Sequence, residues 1–199
     1  LGPISGTMTV DTLDAEIRGD SDGDYLGQAI GSMGDYDSDG YADILVTAPR
    51  DDAGGVDAGA VYLLRGEADL SGWDDQSVLS LYTAQVTGAS ADQHLGFSVD
   101  GSGDLDGDGN NDLLVGAPDM EATAGAAFLF NGPLSGTQSI DDADAQFLGD
   151  DATDAAGSTV MFVGDTDGSG RDSVLIAADK DNYIGSQAGA AYLLTSIGF

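Results

Sequence analysis

An acidic, glycine-punctuated heptapeptide occurs three times in this chain. It reads Gly34-Asp35-Tyr36-Asp37-Ser38-Asp39-Gly40, returns 69 residues later as Gly103-Asp104-Leu105-Asp106-Gly107-Asp108-Gly109, and returns after 61 more as Gly164-Asp165-Thr166-Asp167-Gly168-Ser169-Gly170. Self-similarity at tens of residues restricts a chain to repeat architectures, in which each unit leaves an apolar face that only its neighbour can bury.

The same order of features surrounds each copy. Leu26-Gly27, Leu95-Gly96 and Ala156-Gly157 precede it, and short apolar strands follow it over Asp43–Pro49, Asp112–Pro118 and Ser173–Asp179. Third strands are predicted at Gly59–Leu64, Gly125–Phe130 and Gly189–Leu194, opening on small residues that let neighbouring sheets approach closely. Outer strands are predicted at Asp14–Gly19, Thr83–Gly88 and Asp144–Gly149, and the linkers repeat as Ile4-Ser5-Gly6-Thr7, Leu70-Ser71-Gly72-Trp73 and Leu134-Ser135-Gly136-Thr137. Helical periodicity is absent. The expected fold is therefore all-β, built of β-propeller blades with four antiparallel strands each.

Leu95-Gly96-Phe97-Ser98-Val99 through Gly116-Ala117-Pro118 resembles a full FG-GAP repeat, the unit of integrin alpha-subunit propellers and of many bacterial surface proteins. The resemblance covers nearly the whole chain and implies three blades: an N-terminal outer strand at 8–19, blade 1 at 20–88, blade 2 at 89–149, and blade 3 at 150–199 without its own outer strand. Propellers have about four to eight blades, so three make a partial propeller or a ring closed by oligomerisation. In the second case a homo-oligomer would complete blade 3 with the N-terminal strand of another copy.

The repeated loops carry the chemistry. Oxygen ligands at alternate positions of a tight turn suit a calcium ion, which takes 6 to 8 oxygens. In the first loop Asp35, Asp37, Asp39 and Asp43 stand at positions one, three, five and nine, Gly40 makes the turn at six, and Tyr41 offers its carbonyl at seven. Asp104, Asp106, Asp108, Asn110 and Asp112 repeat the set around Gly109. By the family resemblance, the aspartate at nine closes the site. The third loop retains Asp165, Asp167 and Ser169 with Arg171 at position seven, but Ser173 replaces the closing aspartate, so a weaker site is expected. An EF-hand is rejected, because it requires a glutamate at twelve between helices, and Val46 and Val115 stand there within strands. Magnesium, with its strict octahedral shell, fits four carboxylates less well.

Composition bounds the partners. The formal net charge of −31 repels nucleic-acid backbones and anionic lipid, so neither is an expected partner. Cysteine is absent, which excludes disulfides and thiolate metal sites. No apolar run approaches membrane-span length. Arg18-Gly19-Asp20 spells a tripeptide that some integrins recognise, but Gly19 aligns with Gly88 and Gly149, and Asp20 with Asp150, so the Gly-Asp pair belongs to the blade. His94, the only histidine, aligns with Tyr25 and Ala155 as a variable turn residue, and no hydrolase motif accompanies it. Trp73 is read as a plug over the blade edge. The resemblance implies a non-enzymatic, extracellular calcium-binding module for protein or glycan ligands. The alternative is a non-catalytic accessory segment of a larger secreted enzyme or toxin.

Overall fold

A computed structural model describes residues 7, 9–10, 13–120 and 124–195. Residues 4–6 of the opening linker and residues 8, 11 and 12 of the expected N-terminal strand lie outside the described residues, as do 121–123 and 196–199.

The repeats become strands where the sequence reading places them. In the first unit β2 (Ile30–Gly34), β3 (Asp43–Ala48), β4 (Ala60–Leu64) and β6 (Tyr82–Thr87) form an antiparallel sheet in that order. In the second, β7 (Ser98–Gly103), β8 (Asp112–Ala117), β9 (Ala126–Phe130) and β11 (Ala145–Leu148) do the same. The third has β12 (Ala156–Phe162), β13 (Val174–Ala178) and β14 (Ala190–Leu194). No described residue pairs with the outer edge of β14, where Tyr192 and Leu193 are exposed.

Two-residue periodicity then stacks the sheets. Leu113, Val115 and Ala117 of β8, with Ala126, Phe128 and Phe130 of β9, face blade 1 and join Met33, Leu45, Val61 and Leu63 in one core. The alternate residues Leu114, Ala127 and Leu129 face blade 3 and pack on Val160, Phe162, Val174 and Ile176. Successive strand residues point to opposite faces, so one strand serves two cores. Each fully buried Leu or Phe contributes roughly 1.5–3 kcal/mol. The other face of blade 1 buries Tyr62, Leu64, Val78 and Trp73, whose indole Nε1 donates to Glu67 Oε1 at 2.7 Å.

The glycines that open the third strands sit where blades nearly touch. Gly59 bridges Leu95 and Gly125 bridges Ala156, and a Cβ at either would overlap the backbone of that neighbour. Both also hold positive φ, 86° and 78°.

The connectors are more than linkers. Within blade 2, β10 (Gly136–Ser139) leaves its own blade and pairs in parallel with β6 of blade 1. Likewise β5 (Gln76–Ser77) of blade 1 pairs in parallel with β1 (Ile17–Arg18). The sheet of blade 1 thus gains a fifth, parallel strand beyond the expected four. In the described part of the N-terminal strand, β1 takes toward blade 1 the place that β6 takes toward blade 2, rather than lying on β14.

Candidate metal centres

Each acidic loop is folded by its own side chains. The first aspartate caps the turn glycine: Asp35 Oδ2 accepts from Gly40 N at 3.0 Å, Asp104 Oδ2 from Gly109 N at 2.8 Å, and Asp165 Oδ2 from Gly170 N at 2.8 Å. These glycines hold φ of 94°, 94° and 85°, a left-handed backbone in which side chains are strained. The residue at five then accepts from the N–H at seven, Asp39 from Tyr41 (2.9 Å), Asp108 from Asn110 (2.7 Å) and Ser169 from Arg171 (3.3 Å).

This winding gathers charge. One carboxylate oxygen from each of Asp35, Asp37 and Asp39 lies within 4.8 Å of the others, and Asp104, Asp106 and Asp108 repeat the arrangement. Oxygen-only donors at that spacing suit a hard dication, which would also relieve their mutual repulsion.

The aspartates at nine are placed differently from the other three. Asp43 and Asp112 are buried at the loop base, and their oxygens are engaged by backbone amides. Asp43 accepts from Tyr36 N (2.7 Å) and Gly66 N (2.8 Å), and Asp112 from Leu105 N (2.7 Å) and Gly132 N (2.9 Å). Each therefore ties its loop to the end of the third strand. Burial raises the Asp112 carboxyl above the usual range against the opposing pull of those amides. Burial and then Asp43 push the Tyr36 phenol up to about 12. A carboxylate offers about four lone-pair sites, so one amide per oxygen leaves capacity for an ion.

The third loop shares the fold with fewer carboxylates, Ser169 and Ser173 standing where the other loops have aspartates. Its base holds buried Ser173, whose hydroxyl bonds Thr166 Oγ1 at 2.8 Å, and the Asp165 carboxyl is held low chiefly by the Gly170 N–H. Asp172, one place before the closing position, turns to blade 2 and accepts from Asp104 N at 3.0 Å. The Arg171 side chain lies against Gly107 of the second loop.

Position eight emerges as an inter-blade clasp. Asn111 Nδ2 donates to Met33 O (3.1 Å) and Gly101 O (3.0 Å), as Asp172 reaches Asp104. The polar residues at eight, against Ala42 in the first loop, were the available signal. Arg65 was also missed: its guanidinium pairs with Asp37 and Asp39. Only its position just after the β4 run hinted at this.

Of the remaining candidates, His94 has φ 52°, matching Tyr25 (56°) and Ala155 (57°) as an aligned turn residue. Its Nδ1 lies 2.9 Å from Asp119 Oδ2, and the ring gathers with Asp57 and Asp92. In the Arg-Gly-Asp tripeptide, Arg18 pairs with Glu16 and Asp75, and Asp20 accepts from Ser77 Oγ at 3.3 Å. No helix among the described residues is long and apolar enough to cross a membrane.

Comparison with known proteins fits this geometry. The FG-GAP repeat matches residues 29–64 and 96–130, each from the first strand to the end of the third. The chain is 37% identical over 105 residues to integrin alpha pat-2 of Caenorhabditis elegans, covering 51% of this chain and 8% of that protein. It is 36% identical over 129 residues to integrin alpha-5 of Xenopus laevis (62% of this chain, 11% of that protein). With Xenopus laevis integrin alpha-4 it shares 28% over 172 residues, 86% of this chain and 15% of the relative. The chain thus spans a small fraction of the length of the relatives it matches.

Proposed function

This chain carries FG-GAP repeats of the integrin-alpha β-propeller type, and from that premise we propose that it is a calcium-stiffened, non-catalytic scaffold displayed outside the cell to bind a protein or glycan ligand. The observation that carries the reading is the paired set of three carboxylates within 4.8 Å in loops 1 and 2, each wound on a glycine turn. Asp35, Asp37 and Asp39 would hold one ion and Asp104, Asp106 and Asp108 a second, with the Tyr41 and Asn110 carbonyls and the Asp43 and Asp112 carboxylates closing the shells. The third loop, with Asp165, Asp167, Ser169 and the Arg171 carbonyl, binds more weakly for want of charge. Calcium supplies the positive charge that lets these carboxylates crowd together, so binding adds to folding free energy. Open sites of this kind suit the calcium concentrations found outside cells. In this reading the third-strand edge of β14 is completed by an outer strand from a further blade or copy.

The test compares thermal unfolding with calcium and with chelator, together with mass by light scattering. The loop variants should be Asp37→Asn/Asp39→Asn and Asp106→Asn/Asp108→Asn. Asp43 and Asp112 are poor choices because their amide bonds make them stabilising without any metal. A calcium-dependent rise in Tm that each pair diminishes supports the reading, and a midpoint indifferent to calcium removes it.

A further inference from the structure

We propose that Arg65 sets the calcium affinity of loop 1, acting as a tethered cation that the incoming ion must displace from Asp37 and Asp39. The inference rests on the calcium reading above and adds to it a difference between two loops of like ligand sequence. Arg65 follows β4 directly, beside Gly66, whose N–H holds Asp43 at the loop base. Its Nε contacts Asp37 Oδ2, and its Nη2 lies 3.4 Å from Asp39 Oδ2. Two of the three clustered carboxylates of loop 1 are therefore already neutralised in part.

The repeat provides the control. The residue that follows the third strand in blade 2 is Asn131, beside Gly132, which holds Asp112 as Gly66 holds Asp43. Asparagine brings no charge, and among the described residues no ion pair reaches Asp104, Asp106 or Asp108. Arg171, the cation nearest the loop 2 turn, packs on Gly107 without such a pair.

Magnitudes separate this role from a stabilising one. A solvent-exposed ion pair adds little to stability, and the Arg65 side chain is 52% exposed, so it matters little to folding. A unit positive charge held within several Å of a dication matters more to binding. Coulomb repulsion at that range in water, reduced by physiological salt, weakens calcium binding by about three- to tenfold. The exposed Arg65 side chain can swing into solvent once displaced.

The experiment uses terbium, which takes calcium sites and luminesces when a nearby tyrosine is excited. Tyr41 is in loop 1, whereas positions one to nine of loop 2 contain no aromatic residue. In an Asp106→Asn/Asp108→Asn background, calcium displacement of terbium reports loop 1 in the parent and in Arg65→Gln and Arg65→Lys. The expected result is three- to tenfold tighter calcium binding in Arg65→Gln, shrinking at high salt, with Arg65→Lys close to the parent. Unchanged or weaker calcium binding in Arg65→Gln, with the terbium signal intact, overturns the role given to Arg65. Absence of sensitised terbium emission from every variant instead overturns metal binding at loop 1, and this inference with it.

Discussion

Tyr62 and Asp51 form a polar pair that blade 3 repeats and blade 2 replaces. The Tyr62 hydroxyl donates to Asp51 Oδ2, and Asp51 Oδ1 accepts from Ala53 N at 2.8 Å. In blade 3 Tyr192 donates to Asp181, which accepts from Tyr183 N at 2.9 Å. The aligned residues of blade 2 are Phe128 and Met120, both in the apolar core. Tyr62 is fully buried and Asp51 is 7% exposed. Tyr62→Phe therefore strands a buried carboxylate and should cost about 1.5–3 kcal/mol. Asp51→Met leaves the phenol without that acceptor, at about 1–2 kcal/mol. Its cost is smaller because Gln85 can bond the hydroxyl and because Asp24, whose carboxyl is raised by burial and then by Asp51, loses a like charge. The double variant recreates the blade 2 pair, so its cost should fall below the sum of the singles by about 1–3 kcal/mol. At roughly 2–4 °C of Tm per kcal/mol for a chain of this size, thermal unfolding at fixed calcium resolves that coupling. Costs that add to within about 0.5 kcal/mol would refute the idea that the two residues act as one exchangeable unit.

Other outcomes follow from the same structure. Gly125→Ala should cost more than about 3 kcal/mol in urea unfolding, because it adds a Cβ against the Ala156 backbone at a φ of 78°. Asn111→Ala, which removes one hydrogen bond to Met33 of blade 1 and one to Gly101 within blade 2, should cost about 1–3 kcal/mol and be unaffected by chelator in the same assay. The Asp181 carboxyl is held below its usual range by Tyr192 and then by the Tyr183 N–H, so its contribution is present above the unfolded carboxylate pKa and is lost as pH falls through the folded one. Tyr192→Phe should therefore destabilise the protein at neutral pH, with the difference from the parent closing once Asp181 is protonated in both, as pH-dependent melts will register.

The strands were legible because each is short, apolar and bounded by glycine or aspartate, and because three copies could be laid over one another. Asp43–Ala48, Asp112–Ala117 and Val174–Ala178 fall within the expected segments. The turns of the acidic loops were legible for the same reason, since an Asx turn is a local event: Asp35 finds Gly40 five residues away. What escaped the reading depends on contacts between repeats. The connector Gly136–Ser139 has no apolar alternation to announce a strand, and its partner is in another blade. Arg65 lies 26 residues from Asp39, and Asn111 lies 78 from Met33. Composition could not place either. The role of Asp43 and Asp112 as loop anchors required the positions of Gly66 and Gly132.

The parallel pairing of β10 with β6 means that the covalent repeat and the folded repeat are out of phase. A segment cut at the edge of blade 2 leaves behind the strip that blade 1 uses as its fifth strand, and a segment cut at the edge of blade 1 leaves that strip without a partner. Duplication or recombination that begins within an outer strand and ends within the next carries each clasp together with the groove it fills. Chimeras joined inside β6 or β11 should therefore graft more cleanly than those joined at the loops between sheets.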